Sequence, residues 1–159
     1  QHRCVRFTMP GFEGKHKGPV RSLAQMTALL RAIVDKVSPD KPVTLLLHDW
    51  GCLFGYELAG RHPDRVSRII GVDVGDAGSL HFFKSLSALQ KSMMLSYQLA
   101  LSNAWLLGRY VNGKVGTVLT RGMSFLLKSG AKPEHIRWDM NFPYAMNWLG
   151  LGGGLRPPA

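Results

Sequence analysis

The chain is 159 residues long, 45% hydrophobic and 19% charged, a balance that supports one sizeable core and excludes disordered and collagen-like classes. Its net charge of +10, from 20 Lys and Arg against 10 Asp and Glu, can attract nucleic acid or anionic membrane. The basic residues are scattered, however, without a dense run or an aromatic-basic alternation, so no nucleic-acid partner is expected.

Two cysteines, Cys4 and Cys52, are too few and too unpatterned for a disulfide framework or a zinc site. A reduced, cytoplasmic setting fits them best, and no metal or cofactor is called for. Residues 1–18 are polar and glycine-rich, unlike a signal peptide. The stretch from Met93 to Gly108 is interrupted by Ser96, Gln98, Ser102 and Asn103 and is shorter than the roughly 20 apolar residues of a membrane span, so it reads as a packed helix. The chain opens on Gln1 and closes on Arg156-Pro157-Pro158-Ala159 after a glycine run, which reads as a fragment.

In chain order, Cys4 to Thr8 alternates as a short strand would, and Pro10-Gly11-Phe12-Glu13-Gly14 breaks it. Ser22 with Gln25 forms a capping box ahead of Leu23, Met26, Leu29, Leu30, Ile33, Val34 and Val37, which fall at helical spacing. Ser38-Pro39-Asp40-Lys41-Pro42 ends that helix, and the apolar run Val43 to Leu47 predicts a strand buried on both faces, as in a parallel sheet. A helix through Leu53, Phe54, Tyr56, Leu58 and Ala59 ends at His62-Pro63-Asp64-Arg65. A second buried strand follows from Ile69 to Val74, giving two crossovers and placing Asp49 and Asp73 at the carboxyl ends of strands, where open α/β sheets bind ligands. After Gly75-Asp76-Ala77-Gly78 the pattern turns helical, over about Leu80–Leu107, Val115–Lys128 and Pro133–Leu149, a separate layer or lid. The division expected is thus an α/β part over 1–77 and a helical part over 78–159.

The pentapeptide Leu47-His48-Asp49-Trp50-Gly51 carries the chemistry. A strand that delivers one carboxylate into a tight turn opening a helix presents a nucleophile, and a carboxylate can displace groups from saturated carbon. On spacing alone Asp49 also reads as a helix N-cap. Cys52, just past the turn, reads as a small buried hydrophobe.

His48-Asp49-Trp50-Gly51, then Gly55 and Ala59, then His62-Pro63-Asp64-Arg65-Val66 and the following strand resemble the core of the α/β-hydrolase superfamily. Within it they are similar to the Asp-nucleophile enzymes, the epoxide hydrolases and haloalkane dehalogenases. The resemblance covers about residues 5 to 75, and the helical remainder is similar to the superfamily's cap. It implies an α/β fold, a parallel-sheet core that is incomplete here, followed by a truncated helical cap. It further implies that Asp49 attacks an epoxide or carbon-halogen carbon in a small apolar substrate, and that histidine-activated water hydrolyses the resulting alkyl ester. The Trp50 backbone N–H would donate to the oxyanion, and its indole to a leaving group. His48 holds a position that is not the family's catalytic histidine and is expected to pack beside the elbow. The acid orienting the histidine is Asp73, Asp76, or a residue beyond the C-terminus; Asp73 can equally cap its loop.

Among cap residues, Tyr97, Tyr110 and Tyr144 are candidate proton donors to an epoxide oxygen. Asn147-Trp148 is similar to a cap motif of epoxide hydrolases in which a tyrosine comes next, and Leu149 stands in that place. Tyr144, one turn before Trp148, can substitute as a substrate contact, although the row Phe142, Tyr144 and Trp148 also reads as packing. Leu47, two residues before Asp49, stands where a small residue is usual, which implies a strained or altered turn. In the resembled family a His-Gly loop precedes Cys4 and the catalytic histidine lies beyond Ala159, so the piece alone is expected to be inactive. A degenerate relative that binds without catalysis is the alternative of a different class. No feature sets the oligomeric state.

Overall fold

A computed structural model of the chain describes residues 3–12, 20–74 and 80–155. They form two compact units, one of residues 21–74 with 80–87 and one of residues 3–12, 20 and 88–155.

The α/β unit begins with α1, Leu23–Val37, and the capping box is present in both halves: Gln25 N donates to Ser22 Oγ at 3.1 Å and Ser22 N to Gln25 Oε1 at 2.9 Å. Such a cap contributes about 1 kcal/mol. The face at Leu23, Met26, Thr27, Leu30 and Val34 is buried, with Thr27 Oγ1 donating to Leu23 O, and it packs on α2, Trp50–Arg61. Strand β1, Val43–His48, pairs in parallel with β2, Val66–Val72, from Val43 opposite Val66 to His48 opposite Val72, with one irregularity after Val43. The unit is thus one β1-α2-β2 crossover.

The His62-Pro63-Asp64-Arg65 segment proves to be a clamp. Pro63–Arg65 makes a 3-10 turn that buries the Arg65 side chain, whose guanidinium donates to Ser38 O at 2.6 Å and Pro39 O at 3.2 Å while Nε lies 3.0 Å from Asp35 Oδ1. Arg31 Nε reaches both Asp35 oxygens, and its Nη1 lies 2.9 Å from His62 Nδ1. The Arg31 hydrogen bond, aided by Arg65, holds the Asp35 carboxyl below its usual range. The motif therefore ties the end of α1 to the turn that launches β2.

Three expectations about strands are corrected. Cys4 to Thr8 is not a strand: it is exposed and, among the described residues, pairs with no strand, and backbone donors without a ladder partner do not form one. With two paired strands among the described residues there is one crossover rather than two. Nor are the strands buried on both faces: β1 alternates half-buried and exposed, with Leu46 at 75% exposure, and Ile69, Ile70 and Val72 of β2 are exposed. Helix α2 packs against both strands and shields one face only.

After α3, Leu80–Ser85, the helical unit is built on α4, Ala88–Tyr110, against which α5, Gly113–Leu126, and α6, Phe142–Leu149, pack. The expected continuous helix over 80–107 is broken at 86–87, and the expected helix over 133–149 resolves into 3-10 turns at Pro133–His135 and Trp138–Asn141 before α6, which starts with Pro143 in its first turn. Helices α4 and α5 meet backbone to backbone: a Cβ on Gly116 would stand 2.5 Å from Ala104 O, and one on Gly108 2.3 Å from the Trp138 ring. Trp105 anchors this core edge-on to Trp138 and Tyr110 and tilted on Phe142. Asn141 Nδ2 donates to the buried Thr120 Oγ1 at 2.8 Å, and Arg137 holds the buried Asp139 with two hydrogen bonds.

Candidate active site

The turn between β1 and α2 is a sharp elbow. Asp49 has φ 49° and ψ −126°, a backbone region that non-glycine residues rarely adopt and that costs of order 1–3 kcal/mol. Helix α2 starts at the next residue, with Cys52 N donating to Asp49 O at 2.9 Å. The Asp49 side chain makes no capping hydrogen bond to the helix.

Its half-buried carboxyl is pushed above the usual carboxylate range, first by burial and also by the charge of Asp73, while the Trp50 backbone N–H and His48 act the other way. Asp73 lies one residue beyond β2, also at positive φ, 76°. Both carboxylates thus stand past the carboxyl ends of paired strands, as the crossover pattern predicted. Asp76 and the rest of 75–79 lie outside the described residues, as do Glu13 and Gly14 of the loop after Pro10.

The turn is strained at Asp49, as a large residue at Leu47 implied, and Leu47 itself packs on a glycine. Its terminal methyl groups occupy the space a side chain at Gly55 would need: a Cβ there would stand 2.4 Å from Leu47 Cδ1. A large residue before the elbow is thus accommodated by the absence of one on the first turns of α2. Cys52 is fully buried, as expected of a small hydrophobe, and its thiol faces Val72 O at 3.6 Å. Tyr56, one turn on, donates to Val74 O at 3.3 Å across Gly71, where a Cβ would lie 2.4 Å from its hydroxyl. This face of α2 fixes the end of β2 next to the elbow. The expectation that His48 packs beside the elbow is corrected: its side chain is exposed, because the strand's alternation puts it on the uncovered face with Leu46. Trp50 is half-buried, with its indole nitrogen shielded from solvent.

Within the helical unit the predicted aromatic row divides. Phe142 is in the core against Trp105, whereas Tyr144 and Trp148 meet residues of α4. Tyr97 and Tyr144 stack edge to face at 6.0 Å, and Trp148 Nε1 donates to Gln98 Oε1 at 2.9 Å. Gln98 Nε2 in turn lies 3.4 Å from the Tyr97 hydroxyl. Two of the three candidate tyrosines are therefore together, and Tyr110 is elsewhere, exposed at its edge-on contact with Trp105. Sequence reasoning missed Gln98. Its signal was a polar side chain inside an apolar helix, immediately after a tyrosine.

The profile of the alpha/beta hydrolase fold matches residues 1–152, and the chain belongs to that family. Among curated proteins it is 35% identical over 46 residues to a cis-3-alkyl-4-alkyloxetan-2-one decarboxylase of Shewanella oneidensis, covering 29% of this chain and 14% of that protein. It is 28% identical over 105 residues to epoxide hydrolase 1 of Caenorhabditis elegans, covering 62% of this chain and 26% of that one. The chain thus spans about a seventh to a quarter of the lengths of these relatives. No solved structure matches it significantly. Among the described residues no helix is long and apolar enough to cross a membrane.

Proposed function

We propose that the protein of which this chain forms part opens a strained oxygen ring in a small apolar substrate, with Asp49 as nucleophile. The observation that carries the reading is the Asp49 backbone, held at φ 49° between a parallel strand and a helix with its carboxyl half-buried. Strain kept at one position by the surrounding packing is what pre-organises a reacting group. The names of these two relatives refer to small oxygen rings, an epoxide and an oxetan-2-one, which favours this bond over carbon-halogen.

In the first step a carboxylate oxygen of Asp49 bonds to a ring carbon as that carbon's bond to the ring oxygen breaks, and the ring oxygen leaves as an anion that takes up a proton. Water then attacks the carbonyl of the new ester, releasing the product alcohol and regenerating the Asp49 carboxylate. The Trp50 backbone N–H donates to the oxyanion of the second step. Asp73, beside the nucleophile, orients the histidine that activates the water. Residues 78–159 belong to the cap of the parent enzyme, with Tyr144 and Tyr97 as donors of the proton to the opened ring and Trp148 as a substrate contact.

The test is covalent trapping. The chain is incubated with an alkyl epoxide, an alkyl oxetan-2-one or a haloalkane, quenched rapidly and digested. Expected is a peptide containing Asp49 that is heavier by the mass of the epoxide or the oxetan-2-one, and that is absent in Asp49→Asn. No adduct from any of the three in the chain or in its full-length parent would sink the nucleophile assignment and leave a binding protein. An adduct from the haloalkane alone would move the substrate class.

A further inference from the structure

Helix α5 carries a feature that the proposed chemistry does not use. Its one buried face, at Gly116 and Thr120, is fixed against α4 and the turn before α6. On the opposite side Val115, Val118, Leu119, Phe125 and Leu126 are exposed, Phe125 to 83% and Val118 to 66%. At about 100° per residue these positions and Gly122 fall within about a third of the helix circumference, one continuous apolar stripe. A Cβ at Gly122 would meet nothing within 4 Å, so the middle of the stripe is open as well. The stripe continues past the helix start to the exposed Val111 and past its end to the exposed Leu127.

One border of that stripe is cationic. Lys114 and Arg121 are seven residues apart, which places them about two helical turns from each other along the same edge, and Lys128 follows just past the helix end at positive φ; all three are exposed. Arg121 also donates to Ile136 O. The surrounding sequence has the same sign: from Ala77 to Pro133 there are seven Lys and Arg, at 84, 91, 109, 114, 121, 128 and 132, and no Asp or Glu. The cations are no denser here than elsewhere, but without acids to offset them this segment carries +7 of the chain's net +10, and its helix has an apolar side.

We infer that the exposed face of α5 docks onto an anionic phospholipid surface, with Val115, Val118, Leu119, Phe125 and Leu126 entering the headgroup boundary and Lys114, Arg121 and Lys128 meeting the lipid charge. Charge complementarity selects this occupant. A cationic border and an apolar stripe are the two elements of interfacial binding, in which buried apolar area and attraction to anionic lipid act together. A second copy of the chain is disfavoured, since facing stripes would bring two acid-free cationic borders together. Nucleic acid is disfavoured because the stripe is largely aliphatic and offers a single aromatic ring for stacking. The helix lies along the surface and does not span it: 14 residues at about 1.5 Å each reach only about 21 Å, and its other face is held by α4.

The experiment is co-sedimentation of the 159-residue chain with phosphatidylcholine vesicles, with and without phosphatidylserine, at low and high salt. Expected is binding at least about tenfold stronger to the phosphatidylserine vesicles and weakened by salt. Val118→Asp with Phe125→Asp abolishes it, and Lys114→Glu with Lys128→Glu weakens it by about tenfold, while circular dichroism and the thermal transition stay unchanged because all four side chains are exposed. Equal binding to both vesicle types overturns the proposal, as does binding that survives Val118→Asp with Phe125→Asp, which would trace it to another apolar surface. Absence of vesicle binding, with dimers in sedimentation velocity that this double variant dissolves, overturns it in favour of self-association. If the full-length parent loses the binding seen with the chain, another part of the parent covers the stripe and the proposal fails for the parent.

Discussion

Asp49 and Asp73 stand beside each other on neighbouring parallel strands, each one residue beyond the paired His48 and Val72 and each at positive φ. Adjacent strands lie about 4.8 Å apart, so two like charges are held close where the sheet gives out. The charge of Asp73 adds to burial in raising the Asp49 carboxyl. Replacing either carboxylate has measurable consequences.

The first concerns stability. Asp49 carries a raised carboxyl, so its contribution favours the fold when protonated, below the ordinary carboxylate range, and is lost as pH rises through the folded value. At neutral pH the ionised group is a burden, and so is its backbone. Asp49→Gly removes both, and the backbone part alone should stabilise by about 1–3 kcal/mol in urea unfolding. Covalent trapping should vanish in the same variant. A Gly variant no more stable than the parent chain would mean that the elbow is unstrained.

The second concerns pH. Attack requires the Asp49 carboxylate, so trapping rates should rise with pH through its raised value. Asp73→Asn deletes the like charge and should move this acid limb to lower pH, with Asp49 still above the ordinary range because burial is the larger cause. If Asp73 also orients a histidine, hydrolysis of the ester falls in the same variant while its formation does not. Single-turnover rates against pH separate the two roles, and a limb that stays in place shows that the two carboxylates do not interact.

The elbow was legible in the sequence because it is local: a strand, one carboxylate and a glycine-punctuated helix are neighbours in the chain. The capping box at Ser22 and Gln25 was legible for the same reason. The exposure of Leu46, Ile69 and Val72 was not, because an apolar run reports what a strand is suited to, whereas burial depends on what covers it. Cys4 to Thr8 misled similarly, since alternation cannot supply a partner strand. The Arg65 clamp and the Leu47–Gly55 contact were hidden by distance: each joins residues whose pairing only the folded crossover reveals.

That last contact is testable. Gly55→Ala places a methyl group 2.4 Å from a Leu47 methyl, so the Leu47 side chain must move, at about 1–3 kcal/mol for overpacking. Leu47→Ala alone opens a void and also destabilises. Combined, the two changes should cost less than the sum of the single costs, by about 1 kcal/mol or more, because the new methyl enters space that Leu47 has left. Additive costs in a denaturation cycle would show that the two positions do not share space.

The cluster of Tyr97, Gln98, Tyr144 and Trp148 can separate substrate classes. If Tyr97 and Tyr144 protonate the ring oxygen, Phe at either position should slow epoxide opening in the full-length parent by about a hundredfold or more. A haloalkane should react unchanged, since a halide leaves without a proton. Gln98 holds Trp148 through its indole and lies against the Tyr97 hydroxyl, so Gln98→Leu should act through position alone. A smaller loss is expected there, about tenfold, because the tyrosine hydroxyls remain and only their placement loosens. Equal losses with epoxide and haloalkane in the tyrosine variants would assign the cluster to binding rather than to proton donation. A Gln98→Leu loss as large as either tyrosine's would mean that Gln98 itself touches the substrate.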